Sequence, residues 1–286
     1  MPGNRIAARG EPHPFLRWAG GKRWLARTLR PTLPSRFGTY FEPFLGSGAV
    51  FFALQPPRAH LSDSNRRLIE AFRVVRDSPV LLASLLSDFS YTKTEYYAVR
   101  ASKPTSVIDR AAQLVYLNRT CWNGLYRVDR KGTFNVPYGR RGVFGPVDHD
   151  RLLQVSAALQ GKSLRSEDFE SALSSVQSGD LVFLDPPYTV THGNNGFLLY
   201  NERIFSWSDQ ERLSRTVRAI DHRGAFFVLT NANHESVIGL YEGFDTVPLP
   251  RQSILAADPK RRRAVTELLI SNFKITLGTV VSNSGS

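Results

Sequence analysis

A single cysteine, Cys121, leaves the chain without a disulfide of its own and without a cysteine-built zinc cluster, and its six histidines show no HExxH or similar spacing. No metal is expected. Long apolar runs are missing as well. No stretch approaches the roughly 20 consecutive apolar residues of a membrane span, and the amino-terminal residues lack the apolar core of a signal peptide. A soluble, cytoplasmic chain with no membrane partner is the expectation. Acidic residues are in deficit, 25 against 37 Lys and Arg, which gives a net charge of +12. That balance points to a polyanionic partner, nucleic acid first, with simple solvation as the plainer account. What is present in quantity is apolar: 42% of the 286 residues, enough for a substantial core in one large domain or in a domain carrying an insertion.

No internal repeat or long low-complexity linker divides the chain, and the first dozen residues and the Ser-Asn-Ser-Gly-Ser terminus read as loose ends. Tyr40-Phe41-Glu42-Pro43-Phe44 leads into Leu45-Gly46-Ser47-Gly48 and then Ala49-Val50-Phe51-Phe52-Ala53-Leu54, a strand, a glycine turn and a helix. A short strand at 59–61 runs into Ser62-Asp63-Ser64-Asn65, followed by a helical pattern over 66–75. This alternation predicts a parallel sheet. Residues 79–120 interrupt it with consecutive helices. Tyr126-Arg127-Val128 and Thr133-Phe134-Asn135-Val136 then flank Asp129-Arg130-Lys131-Gly132, which reads as a basic β-hairpin. Alternation resumes after about residue 160, with a strand at 163–165, a strand at 180–184, a helix at 208–222, a strand at 225–230 and a helix at 234–241. Strands near 244–248 and 265–273 finish the chain. The expected division is a catalytic domain of 1–76 and 156–286 and an inserted module of 77–155.

Asp185-Pro186-Pro187-Tyr188 follows the apolar run Leu181-Val182-Phe183-Leu184, so a carboxylate, a stiff proline pair and an aromatic ring stand where a buried strand ends. In open α/β sheets ligands gather beyond that end. The Asp185 carboxylate and Pro186 carbonyl form two fixed acceptors able to grip an amino group, and Tyr188 can stack on the ring that carries it. The bland reading is a proline turn after a strand. Gly46-Ser47-Gly48 allows close approach of backbone to a ligand but lacks the third glycine of the dinucleotide fingerprint. Asp63 reads either as an acceptor for ribose hydroxyls or as a helix N-cap. Phe15-Leu16-Arg17-Trp18-Ala19-Gly20-Gly21-Lys22 adds an aromatic, a glycine pair and a lysine suited to a carboxylate tail, or else a surface turn. Basic residues cluster at Arg127, Arg130, Lys131, Arg140 and Arg141 and again over 260–263, as a phosphate-tracking surface requires.

Trp-Ala-Gly-Gly-Lys at 18–22, Glu-Pro-Phe-Leu-Gly-Ser-Gly at 42–48, Asp-Ser-Asn at 63–65 and Asp-Pro-Pro-Tyr at 185–188, in this order, resemble the Dam-type DNA adenine-N6 methyltransferases. Tyr116-Leu117-Asn118-Arg119-Thr120-Cys121-Trp122-Asn123-Gly124-Leu125-Tyr126-Arg127, with Gly132-Thr133-Phe134-Asn135-Val136-Pro137-Tyr138-Gly139 after it, is similar to that family's DNA-reading hairpin. The resemblance spans nearly the whole chain. It implies a Rossmann-like α/β sheet with a helical target-recognition domain at 77–155. The implied cofactor is S-adenosylmethionine, with Trp18, Lys22, Gly46, Gly48, Asp63 and Asp185 at cofactor-contact positions. Asp168 and Phe169 match the pair that meets the cofactor adenine, although a helix cap and a core ring read equally well there.

For catalysis the resemblance implies that Asp185 and Pro186 accept the two N6 hydrogens of a flipped adenine while Tyr188 stacks on the base, giving direct methyl transfer without a covalent enzyme intermediate. Cys121 then serves as a small apolar filler. For recognition of double-stranded DNA it implies Arg17, Trp122, Asn123, Leu125, Arg127, Arg130, Lys131, Pro137 and Tyr138. Arg127 reads a guanine or clamps a phosphate, and Trp122 wedges into the duplex or fills a core. Residues 191–205 suit a flap or a plain surface loop. A monomer acting on GATC is the expectation. RNA or protein-amide methylation and a catalytically inactive DNA-binding regulator are the competing readings; the aspartate of the proline turn and the undamaged cofactor motifs argue against them.

Overall fold

The computed structural model describes residues 12–18, 21–129, 132–139, 147–190, 205–252 and 264–275. Arg130, Lys131, Arg140, Arg141, the basic run at 260–263 and residues 191–204 of the flap reading lie outside them.

Seven strands form one sheet: β1 (Tyr40–Glu42), β2 (Ala59–Asp63), β3 (Ser163–Ser166), β4 (Leu181–Leu184), β5 (Phe226–Ala232), β6 (Asp245–Gln252) and β7 (Ala264–Ser271). Their order is β3-β2-β1-β4-β5-β7-β6. Pairings β1–β2, β1–β4 and β4–β5 are parallel, and β7 lies antiparallel to both β5 and β6. The chain builds outward from β1 through β2 to β3 and then returns to β4 beside β1, so the order reverses at the β1–β4 pair, where doubly wound sheets place their ligands. β4 is buried at all four positions, which explains its unbroken apolar run. Pro248 and Pro250 are tolerated in β6 because it is the outermost strand and needs no second ladder.

The helices are α1 (Arg23–Leu29), α2 (Ala49–Leu54), α3 (Arg66–Asp77), α4 (Pro79–Ser87), α5 (Lys93–Ala101), α6 (Val107–Thr120), α7 (His149–Leu159), α8 (Phe169–Leu173), α9 (Trp207–His222) and α10 (Glu235–Leu240), with a 3₁₀ turn at Trp122–Gly124. Local chemistry sets their starts. Ser106 and Thr92 accept the N–H of Asp109 and Glu95 at the heads of α6 and α5, Pro79 opens α4, and a reciprocal Ser206–Asp209 capping box opens α9.

The chain divides into two compact units, one of 1–27, 45–57 and 62–167 and the other of 28–44, 58–61 and 168–286. The first contains α3, α4, α5, α6 and α7, so the expected insert at 77–155 lies wholly within it. In α3 the apolar residues Leu68, Ile69, Phe72 and Val75 repeat at helical spacing and are all buried, and Phe72 meets Phe15 edge-on at 5.0 Å. The core of the second unit joins Val182 and Leu184 of β4, Phe227 and Leu229 of β5 and Leu213 and Val217 of α9. No helix among the described residues is long and apolar enough to cross a membrane.

Candidate active site

In the first unit, the turn after β1 is shaped by its glycines. Gly46 has φ +49° and a Cβ there would come within 2.9 Å of the Trp18 ring, so only glycine lets the indole lie on this backbone. Gly48, φ +68°, opens α2. The Gly46 N–H donates to Asp63 Oδ2 at 3.1 Å, and the Asn65 N–H donates to Asp63 Oδ1 at 2.9 Å. The helix-cap reading of Asp63 is settled by this arrangement: Asn65, not Asp63, caps α3, its Oδ1 accepting the Leu68 N–H at 3.2 Å. Asp63 instead spans the glycine turn and the start of the next loop. Burial pushes its carboxyl up to about 6 against the pull of the two backbone donors. Lys22 is buried, directly before α1.

Two residues that sequence reasoning left without a role organise this region. Asn118, buried on α6, accepts the Arg17 N–H at 2.8 Å and donates to the carbonyls of Arg17 at 2.7 Å and Gly124 at 3.1 Å. Tyr126 stacks on Trp18 with ring centroids 5.3 Å apart and planes at 19°. Asn118 stood inside a recognised motif, but which backbone it grips cannot be read from spacing.

The hairpin forms, though differently from a continuous two-strand ladder. Val128 bridges Phe134, the Asn135 N–H donates to the Arg127 carbonyl, and Gly132 takes a positive φ in the turn. The returning segment then leaves its partner and pairs with 120–122 instead: the Trp122 N–H donates to the Pro137 carbonyl, and Cys121 bridges Tyr138. Between the two pairings lies the 3₁₀ turn, where Asn123 and Gly124 are left-handed. Trp122, Asn123, Arg127 and Pro137 are exposed, Leu125 and Tyr138 half-buried. At 41% exposure Trp122 is no core residue. The Arg127 guanidinium donates to Asn135 Oδ1 at 2.7 Å, and the Tyr138 hydroxyl donates to the Tyr91 carbonyl. Cys121 is fully buried, its thiol pushed by burial to about 12, which leaves no nucleophile at neutral pH.

In the second unit, Asp185 stands immediately after β4 and Pro186 is buried behind it. Thr230, fully buried on the neighbouring β5, donates to Asp185 Oδ1 at 2.6 Å. The Tyr188 hydroxyl lies 3.3 Å from the same oxygen and 3.2 Å from Oε2 of Glu267, a β7 residue only 2% exposed. Burial, then the two carboxylates, push the Tyr188 phenol well above its usual range, which keeps it an O–H donor. Gln210 of α9 donates to the Pro187 carbonyl and accepts from Asn231 of β5. Sequence analysis missed Thr230, Glu267 and Gln210, which carry no motif and reach the turn only through strand pairing and helix packing. Asp168 accepts the Glu170 N–H as the cap of α8, and Arg212 grips its carboxylate at 2.8 and 3.1 Å. Phe169 is a core residue stacked on Phe44 at 5.5 Å, with the Arg212 guanidinium 4.3 Å from its ring centroid.

Residues 18–254 match the family model described as D12 class N6 adenine-specific DNA methyltransferase. Among curated proteins, the chain is 35% identical to the type II methyltransferase M1.LlaDCHI of Lactococcus lactis subsp. cremoris over 91% of this chain and 95% of that one. It is 35% identical to the type II methyltransferase M.MjaIII of Methanocaldococcus jannaschii over 92% of this chain and 100% of that one. The DNA adenine methylase of Haemophilus influenzae is 29% identical over 90% of this chain and 92% of its own length.

Proposed function

The chain belongs to the D12 class of N6 adenine-specific DNA methyltransferases, and on that premise we propose that it moves a methyl group from S-adenosylmethionine to adenine N6 in duplex DNA at a catalytic centre built on Asp185, Pro186 and Tyr188. The observation that carries this reading is the hold on Asp185: a carboxylate at the end of a fully buried strand, its Oδ1 fixed by Thr230 at 2.6 Å. Adenine N6 is a poor nucleophile because its lone pair is delocalised into the ring. Two acceptors that take its hydrogens, the Asp185 carboxylate and the Pro186 carbonyl, localise that pair on nitrogen. The methyl donor supplies an electrophilic sulfonium carbon. Tyr188 stacks on the flipped base, and the methylated ammonium, being acidic, loses its proton after transfer.

The residues of the first unit suit a nucleoside-type ligand. The left-handed glycines Gly46 and Gly48 shape a tight turn, Asp63 offers a half-buried carboxylate to ribose hydroxyls, Trp18 a flat apolar ring, and Lys22 a charge for a carboxylate tail. In the second unit, Asp168, the cap of α8, and the core ring Phe169 are the positions we assign to the cofactor adenine. Residues 77–155 act as the target-recognition domain: Arg127 reads a guanine, Trp122, Asn123 and Leu125 open the duplex, and Arg130, Lys131, Pro137 and Tyr138 follow the backbone, while Arg17, outside that segment, reads an outer guanine. The enzyme works as a cytoplasmic monomer on a short site, GATC being the first to test. The type II names of its relatives make a partner restriction enzyme part of the reading.

The test supplies purified chain with methyl-labelled S-adenosylmethionine and, separately, duplex DNA, RNA and protein. Label should enter duplex DNA alone, and sequencing of DNA from expressing cells should map one adenine context. Asp185→Ala should lower turnover by about 10²-fold or more with DNA affinity within about twofold; near-normal turnover in this variant removes Asp185 from the mechanism.

A further inference from the structure

Five residues of the first unit close a ring of contacts that methyl transfer itself does not require. The Asp63 carboxylate accepts from Gly46 and Asn65. Gly46 carries the Trp18 indole so closely that a Cβ would fall 2.9 Å from it. Trp18 stacks on Tyr126 at 5.3 Å and 19°. The Asn65 side chain neighbours the Tyr126 hydroxyl and draws its pKa down, which returns the ring to its start. Burial pushes the Tyr126 phenol up, so the group stays neutral in this setting.

Tyr126 is the odd member. Trp18, Gly46, Asp63 and Asn65 all lie in the first 65 residues, whereas Tyr126 opens the hairpin, directly before the exposed Arg127 and in contact with Phe134 across it at 5.9 Å. Its backbone is not free to wander, because the left-handed Gly124 two residues earlier packs against Arg17, the neighbour of Trp18. A movement of the hairpin is therefore delivered to Trp18 by two routes, through the Tyr126 ring and through the Gly124–Arg17 contact.

We propose that Tyr126 is a positioning residue for the reaction: it fixes Trp18 over the Gly46 turn, so that docking of the hairpin on target DNA tightens the cofactor-binding residues. The proposal rests on the assignment of Trp18, Gly46 and Asp63 to the cofactor and of the hairpin to DNA. Linkage makes the coupling reciprocal, so bound cofactor strengthens target binding by the factor that bound target strengthens the cofactor.

The experiment measures binding of sinefungin, a non-transferring analogue of the methyl donor, to the full chain by calorimetry, with and without a duplex oligonucleotide carrying the mapped site. In the wild type the duplex should tighten sinefungin by about fivefold or more. Tyr126→Leu should bring that factor below about twofold and raise KM for S-adenosylmethionine with kcat within about twofold, since the group touches no reacting atom. Tyr126→Phe, which keeps the stack and loses the Asn65 contact, should retain most of the coupling. A wild-type factor near one, or a Tyr126→Leu variant with the full factor, overturns the proposal. Should Tyr126→Leu lose its native circular dichroism, Trp18→Phe is read for the coupling factor alone and must also reduce it. Asp63→Ala separates the layers: if it leaves sinefungin binding intact, the cofactor assignment falls and the ring with it, whereas weakened binding beside an intact coupling in Tyr126→Leu removes the ring alone.

Discussion

Burial lifts the Asp63 carboxyl from 3.8 to about 6, although the N–H groups of Asn65 and Gly46 pull it the other way. Between those values the folded chain holds a proton that the unfolded chain releases. The group therefore favours the fold below about pH 4, and that contribution is lost as pH rises through about 6. On the proposed cofactor reading, ligand binding runs in the opposite direction, because only the ionised carboxylate is an acceptor on both oxygens for ribose hydroxyls. Cofactor affinity should fall by up to about tenfold per pH unit below 6, and Asp63→Asn should flatten the profile. Calorimetric titration from pH 5 to 8 reads this, and a flat wild-type profile contradicts it. Thr230 gives a second residue-scale expectation. Its hydroxyl is fully buried and holds Asp185 at 2.6 Å. Thr230→Val preserves shape and deletes the donor, which should cost about tenfold in kcat with KM for the methyl donor unchanged, and Thr230→Ser should restore most of it. Equal losses in the Val and Ser variants would mark a packing role instead.

Among the elements, the 3₁₀ turn Trp122–Gly124 after α6 is the least replaceable. Gly124 sits at φ +63°, and a Cβ there would meet Arg17 Cβ at 2.6 Å. Gly124→Ala must combine a left-handed alanine with displacement of the Arg17 backbone that Asn118 clamps, so the expected cost is about 2 kcal/mol or more of stability, measurable by urea unfolding. A change within about 0.5 kcal/mol would show that the segment yields freely. The same turn marks where legibility ends. Strand β4 and its proline turn stood plainly in the sequence because an apolar run followed by Asp-Pro-Pro has few other solutions, and α9 was legible as a helical pattern at 208–222. The hairpin turn was legible too, from Asp129 and Gly132. The ladder was not: two left-handed residues at 123 and 124 divert the chain, and Asn-Gly marks a turn without saying which segment the returning chain will pair with. Thr230 and Glu267 escaped for a different reason. They lie 45 and 82 residues beyond Asp185 in the numbering of the chain and meet its turn only through the β4–β5 and β5–β7 pairings.

At the scale of the whole chain the governing quantity is charge, +12 with an isoelectric point near 10.1. Part of the basic complement is spent internally. Arg66 and Arg110 both pair with Glu70, and Arg212 holds Asp168, Glu170 and Asp209. Such side chains contribute little to a phosphate surface, so the slope of affinity against salt counts the cations that remain. Each phosphate neutralised adds about −0.9 to the slope of log K against log salt, and six to ten contacts cost about 10³–10⁵ in affinity between 50 and 200 mM. Fluorescence anisotropy with a target duplex and with a scrambled one should give slopes equal within about one unit, because base-edge contacts release no counterions. The two lines should be offset if Arg127 and its neighbours read base edges, because that discrimination is the same at every salt concentration. Arg127→Ala should close part of that offset and leave the slope untouched if the side chain reads a base. A slope shallower by about one unit with the offset preserved would make Arg127 a phosphate contact, and target choice would then rest on the other residues of the hairpin.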